Sequence, residues 1–425
     1  MIEDIINFGL EHAQSSIIKV LGVGGGGCNA VNHMIKEGIQ GVDFLICNTD
    51  AQAMRDSPAP IKIQLGVTLT EGRGAGNQPE HGEQAAIENM DDIRHVLEGS
   101  TKMIFVTAGM GGGTGTGAAP VIAKLAREMG ILTIAVVSVP APAEGKRRFN
   151  QAMEGLEKLR LQVDSMLVIS NEKLHQIYGD LPASQAFKKA DDIITTAVKG
   201  MAEIITVHGN INIDFADVNT VMAGSEVFIM GTGIARGEER AMQAVHEALE
   251  SPLLDSNDIN GTKDILLNII SGNDEITMGE IGNIIEYLQK EAGEGANIIW
   301  GNGIDEQLED QISVTIIATR FNKNPSHLLQ SGPGVEEFVL DASLQPEINL
   351  DDGQEPIFEN FPDDGFSAGN TENTSQKRTS IKSSRKSKRK NEPVVEEKED
   401  SRSTESWFLR QFNRLFDDQE NTENN

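Results

Sequence analysis

Cysteine is nearly absent from this sequence. Cys28 and Cys47 are the only two in 425 residues, and no CxxC pair exists. That scarcity excludes a disulfide framework and a cysteine-built metal cluster, and it suits a reducing compartment. No apolar run is long enough to cross a bilayer. The opening MIEDIINFGLEHAQ is acidic and has no basic segment ahead of an apolar core, so no secretory leader is expected and the chain reads as cytoplasmic. Positive charge is also short: 36 Lys and Arg face 65 Asp and Glu, for a net charge of −29. Such a field excludes whole-surface attraction to nucleic acid or to an anionic membrane. A phosphate-rich ligand would have to be held by local dipoles and a metal ion.

Glycine, by contrast, is abundant, with 43 residues and no collagen-like period. In IIKVLGVGGGGCNAV an apolar strand runs into Gly22, Gly24 and Gly27, the G-x-G-x-x-G spacing of dinucleotide-binding turns. Glycines there let backbone N–H groups approach an anion at the positive end of the following helix. Asp50 lies at a plausible distance for a ribose contact, so this turn read alone points to NAD. A second stretch, AGMGGGTGTGAAP (108–120), follows another apolar strand and leads into another helical pattern. A nicotinamide enzyme needs only one such turn, so two on neighbouring strands favour a ligand with more phosphate charge. Neither is a Walker A loop, because no Lys-Ser or Lys-Thr follows the glycines.

Apolar runs at Ile17–Val23, Val42–Ile46, Met103–Thr107, Ile131–Val139 and Met166–Ile169 read as buried strands alternating with helices. The pattern predicts an α/β fold: a Rossmann-like, mostly parallel sheet, with ligands at the carboxyl ends of its strands. A long helix is expected next, from Gln185, followed by a second, smaller α/β domain. The expected organisation is an N-terminal extension (1–15), a nucleotide-binding domain (16–184), a central helix (185–208) and a C-terminal α/β domain (209–322). A disordered linker (323–403) and a terminal peptide (404–425) complete it. The linker carries a basic block at 377–390, read as a solvated charge run or a weak electrostatic contact. In ESWFLRQFNRLFDD, Phe408, Phe412, Leu415 and Phe416 share a helical face, as in a peptide that docks in a partner's groove.

The motif GGGTGTG, together with GVGGGG-x-NAV, NTDAQA, GAG-x-x-PE, PAPAEGKRR and NIDFADV, resembles the tubulin/FtsZ family over roughly residues 15–322. The resemblance implies a GTPase that polymerises head-to-tail and forms a ring at the bacterial division site, with GTP or GDP and Mg2+ bound. It places Gly25, Gly26, Gly27, Cys28 and Asn29 in the first phosphate loop, and Gly113, Thr114 and Gly115 at the β- and γ-phosphates. Asn48, Asp50, Ala75 and Gly76 would line the γ-phosphate and magnesium region. No protein metal ligand is expected, the ion being carried by the phosphates. Glu144 and Arg148 would contact the ribose, Asn171 the sugar or base, and Phe187 would stack. Asp192, with Asp191 beside it, would read guanine N1–H and N2–H2, a pair adenine cannot make.

The resemblance also implies that Asp214 and Asp217, with Asn212, enter the next subunit's nucleotide pocket and position the attacking water. Taken singly, each residue has a plainer reading: Phe187 as a core aromatic, Glu144 and Arg148 as a surface pair, Asp214 and Asp217 as an acidic helix start. A nucleotide-dependent scaffold without turnover is the other reading of the same motifs. The chain departs from the family pattern at Cys28, Gln78, Asp191 and Asn219. Membrane-tethering division proteins are the partners implied for the terminal peptide, which lacks the family's usual proline there.

Overall fold

The structure, a computed structural model, describes residues 16–322 except 208, 251–258 and 294. The linker and terminal peptide expected from the sequence lie outside the described residues. The strands are β1 (Ile18–Val23), β2 (Asp43–Asn48), β3 (Ile61–Gln64), β4 (Met103–Gly109), β5 (Leu132–Val139), β6 (Ser165–Ser170), β7 (Gly209–Ile211), β8 (Glu226–Arg236), β9 (Asp264–Ser271), β10 (Asn297–Ile304) and β11 (Gln311–Thr319). The helices of the first part are α1 (Gly24–Lys36), α2 (Ala51–Arg55), α3 (Val67–Thr70), α4 (Pro79–Glu88), α5 (Met90–Leu97), α6 (Thr114–Glu128), α7 (Lys146–Arg160) and α8 (Asn171–Tyr178). Then come α9 (Ala183–Thr206), α10 (Phe215–Met222), α11 (Arg240–Leu249) and α12 (Met278–Ala292).

The strands follow one another in the order β3-β2-β1-β4-β5-β6-β8-β11-β9-β10-β7. From β3 to β6 every pairing is parallel. Strands buried on both faces read as near-continuous apolar runs. β1 is buried at all six positions, and its one charged residue, Lys19, pairs with Asp43 at 3.1 Å. β8 continues the sheet through only two pairs, Ser165 with Glu226 and Met166 with Val227, and then joins a mixed sheet through antiparallel β11. Among the described residues, one apolar core gathers Leu21, Val106, Ile122, Val137 and Leu156, and a second Ile229, Val245, Leu267, Ile284 and Val314.

This topology fixes the site. The strand order reverses around β1 and β4, so the loops leaving their carboxyl ends border the crevice where such sheets take ligands. Both glycine-rich stretches leave from those ends. Helix α9, 24 residues and therefore about 36 Å long, follows the last strand of the parallel sheet and leads to β7. Buried Ile194, Ala197, Val198 and Met201 form its apolar stripe.

Candidate functional site

The two glycine stretches pack directly on each other. A Cβ on Gly24 would meet Gly115 N at 2.8 Å, and one on Gly26 would meet Gly109 N and Cα at 3.1 Å. A Cβ on Gly113 would meet Ala75 Cβ at 2.8 Å and Gln78 N at 2.9 Å. These glycines are required by the contact of loop on loop. Gly25, Gly76 and Gly112 differ: a Cβ on any of them would meet nothing within 4 Å. They border open space, where a ligand could approach the backbone.

Helices α1 and α6 both begin at this crevice, with no side-chain cap on their first turns. Their leading N–H groups have no intrahelical acceptor and carry partial positive charge. Gly25, Gly26 and Asn29 are exposed, while Gly27 and Cys28 are buried. The Cys28 thiol turns beneath the loop, 3.9 Å from the Cys47 carbonyl, and burial pushes it up to about 12, so it stays neutral. Cysteine is thus accommodated in this glycine turn by pointing into the core.

Two further loops close the crevice. Thr49 and Thr114 hydroxyls lie 2.7 Å apart, and the Thr49 carbonyl accepts from Gly74 N at 3.2 Å. Asn48 is buried, its Oδ1 accepting from Asp50 N at 3.3 Å. The Asp50 carboxylate caps α2 by accepting from Gln52 N and Ala53 N at 2.9 and 3.1 Å. Ala75 is buried, and Gly76 turns the chain at φ 60°.

Glu144, Arg148 and Asn171 are brought together although three elements carry them. Asn171 Nδ2 donates to Glu144 Oε1 at 3.0 Å, and Arg148 lies 3.8 Å from Glu144 Oε2. Asn171 Oδ1 is buried and has no partner. An orphaned buried acceptor costs free energy until a donor reaches it. A nucleoside supplies such donors, so this atom fits a bound nucleotide.

On α9, Asp192 Oδ1 accepts from His33 Nε2 at 2.7 Å, and Lys189 stands 3.7 Å from Oδ2. Asp191 beside it is pushed up to about 6 by burial, an effect that His33 opposes and the Asp192 charge adds to. Phe187 lies on α9, and its side chain is outside the described residues. His33 is the residue that sequence reasoning missed. Its spacing of four from Asn29, on one face of α1, was the available signal.

Asn212, Asp214 and Asp217 form a separate group. Asp214 Oδ1 accepts from Asp217 N at 2.9 Å, and Asp217 Oδ2 accepts from Asp214 N at 3.2 Å, a reciprocal cap on α10. Asn212 Oδ1 accepts from Gly209 N at 2.6 Å. Helix α1 and the turn after it run alongside α9 in the same direction, for His33 touches Asp192 and Gly41 touches Thr206. Counting residues along both helices puts the glycine turns about 30 Å from the Thr206 end. The Asp214 group follows that far end.

A cavity of about 480 Å³ between α4, α6 and α7, lined among others by Pro79, Pro120 and Gly155, contains none of the residues expected from the sequence.

Residues 17–179 match the GTPase domain of the Tubulin/FtsZ family, and residues 226–322 match the FtsZ family C-terminal domain. The chain belongs to the tubulin/FtsZ family. The cell division protein FtsZ of Pseudomonas aeruginosa is 50% identical over 311 residues, covering 72% of this chain and 78% of that protein. The Pseudomonas putida protein of the same name is 49% identical over 354 residues, covering 81% and 88%. Among solved structures, an empty FtsZ dimer from M. jannaschii superposes with a TM-score of 0.67 at 42% identity, covering 72% of this chain and 89% of that one. CetZ1 from Haloferax volcanii, at 17% identity and a TM-score of 0.63, shares the fold. The amino-terminal domain is therefore a GTPase domain that binds guanine nucleotide, which removes the NAD reading. No helix among the described residues is long and apolar enough to cross a membrane.

Proposed function

We propose that this protein is a cell-division GTPase that assembles head-to-tail into filaments and hydrolyses GTP only where two subunits meet. The observation that carries this reading is the separation along α9. The glycine turns lie at one end and the Asp214 group follows the other, roughly 30 Å away. One chain then holds two unlike halves of a site. A head-to-tail contact joins them, and because such a contact does not close on itself it propagates.

In this reading the uncapped first turns of α1 and α6 hold the phosphates through Gly25, Gly26, Gly27, Gly113, Thr114 and Gly115. Asn48, Asp50, Ala75 and Gly76 border the terminal phosphate. Mg2+ bound to the phosphates would neutralise charge that this acidic chain does not. Glu144, Arg148 and Asn171 take the ribose edge, with Asn171 Oδ1 accepting the donor it lacks. Phe187 stacks, and Asp192, with Asp191 beside it, accepts from the guanine edge. Asp214 and Asp217, aided by Asn212, orient water against the γ-phosphate of the adjoining subunit. Positioning of this kind carries most of the catalysis in phosphoryl transfer.

The domain boundaries follow from the same reading: 16–184, 185–208 and 209–322, with the linker and the peptide 404–425 beyond. That peptide would reach membrane-tethering division proteins, bringing filaments to a mid-cell ring from the cytoplasm. Light scattering with phosphate release, comparing GTP, GDP and ATP in the presence of Mg2+, tests the reading. Assembly and phosphate release with GTP alone are expected. Assembly with ATP in place of GTP would refute it.

A further inference from the structure

Four segments meet around the glycine turns: 21–32, 44–54, 65–79 and 105–120. Cys28 against Cys47, Thr49 against Thr114, Gly74 against Thr49 and Gly113 against Ala75 tie them together. Across all four, the one lysine or arginine is Arg73. In a chain of net charge −29, Arg73 is the one cation these four segments supply; Arg148 approaches from α7, beside Gly111.

Its backbone is fixed while its side chain is not. Arg73 N donates to the Thr70 carbonyl at 2.9 Å, and an isolated antiparallel bridge couples Arg73 to Asp50. Gly72 and Gly74 flank it at φ 75° and 86°, turns that place residue 73 on the rim of the crevice. The guanidinium, 82% exposed, pairs with Glu71 at 2.9 Å, and that carboxylate is itself 67% exposed. Water screens a pair this exposed, so it exchanges readily for a better partner.

We propose that Arg73 is a γ-phosphate-binding residue, its guanidinium leaving Glu71 for the terminal phosphate and giving the site its preference for triphosphate over diphosphate. The inference rests on the reading of the crevice as a GTP site. Position selects the γ-phosphate: Arg73 is bridged to Asp50, and two residues on Ala75 abuts Gly113 at the start of α6. The ribose and base residues belong to the turn ahead of α7 and to α7, α8 and α9 instead. A planar guanidinium can present two parallel N–H donors to phosphate oxygens, which no backbone amide here can do.

The test is fluorescence anisotropy with labelled GTPγS and labelled GDP, each with Mg2+, at protein concentrations where light scattering stays at baseline. Arg73→Ala should lose about tenfold in GTPγS affinity, roughly 1.4 kcal/mol, with GDP affinity within about twofold of the parent. Arg73→Lys should keep most of the preference, because the charge remains. Glu71→Gln should preserve or strengthen it. An Arg73→Ala protein with the parent's GTPγS-to-GDP ratio overturns the proposal, and a raised assembly threshold alongside that ratio would assign Arg73 to the subunit contact. A Glu71→Gln protein that loses the preference overturns it as well. A parent protein that binds neither nucleotide refutes the GTP reading itself, a different failure from either of these.

Discussion

His33 holds Asp192 across the interface of α1 and α9, with Nε2 2.7 Å from Oδ1. A carboxylate only accepts, so the ring nitrogen facing it carries the proton. The contact links the helix that begins at the first glycine turn to the aspartate proposed to read guanine. His33→Ala should weaken GTP and GDP alike, by about tenfold, since both carry the base and a charge-assisted hydrogen bond is worth roughly 1.5–3 kcal/mol. Anisotropy with both nucleotides checks this. Equal loss for the two separates a base-side residue from Arg73, whose substitution should discriminate between them.

Asp191 should make the protein less stable as pH rises. Burial lifts its carboxyl from near 3.8 to about 6, so the folded state retains a proton that the unfolded state has released. The stabilisation from this group is therefore complete below about pH 4 and lost as pH climbs through about 6. Asp191→Asn should melt higher than the parent at pH 7.5, with the gap closing toward pH 4. Thermal melts across that range check the sign; a gap that widens toward low pH would contradict it.

Asp214 and Asp217 cap each other's backbone, so alanine at either would confuse a lost cap with lost chemistry. Asparagine caps about as well as aspartate but carries no charge. Asp214→Asn and Asp217→Asn should therefore melt like the parent, bind GTP and assemble, yet turn over at least about 100-fold more slowly, as befits loss of a group that positions a reactant. Phosphate release at a concentration giving full light scattering measures the effect.

Arg240 anchors the second core. Its side chain, 5% exposed, meets Glu280 at 2.9 Å and Asp274 at 2.9 Å. It also donates to the carbonyls of Asp274 and Glu275. The bond from Arg240 holds the Glu280 carboxyl below the usual range. Arg240→Ala leaves Glu280 and the carbonyls of Asp274 and Glu275 without their donor and should cost about 1–3 kcal/mol in urea unfolding. It should also flatten the acid side of the stability profile, because a lowered carboxyl stabilises above its unfolded pKa and loses that contribution as pH falls.

Much of this architecture is legible in the sequence where one physical demand dominates. β1, β4, β5 and β9 are buried on both faces and so read as predominantly apolar runs, broken by a few polar residues such as Lys19 in β1 and Asn268 in β9. Strand β10, NIIWGNGI, has two asparagines and two glycines and carries no such signature. Its pairing with β9 holds it in place. Strand β3 is only four residues long. Glycine runs are poor helix formers, yet α1 starts in one: Gly24, at φ 70°, packs on Gly115 with no room for a side chain. Motif spacing pointed to the two glycine turns that the fold packs together. It did not reveal His33 or Arg73, whose significance depends on what α9 and Asp50 bring beside them.

The most direct test of shared active sites is the rate of phosphate release per subunit as a function of total protein concentration, with GTP and Mg2+ held constant. The account predicts almost no turnover below a threshold and a steep onset coinciding with light scattering, because a lone subunit lacks its neighbour's Asp214 and Asp217. A per-subunit rate that stays constant down through dilutions with baseline scattering would contradict it.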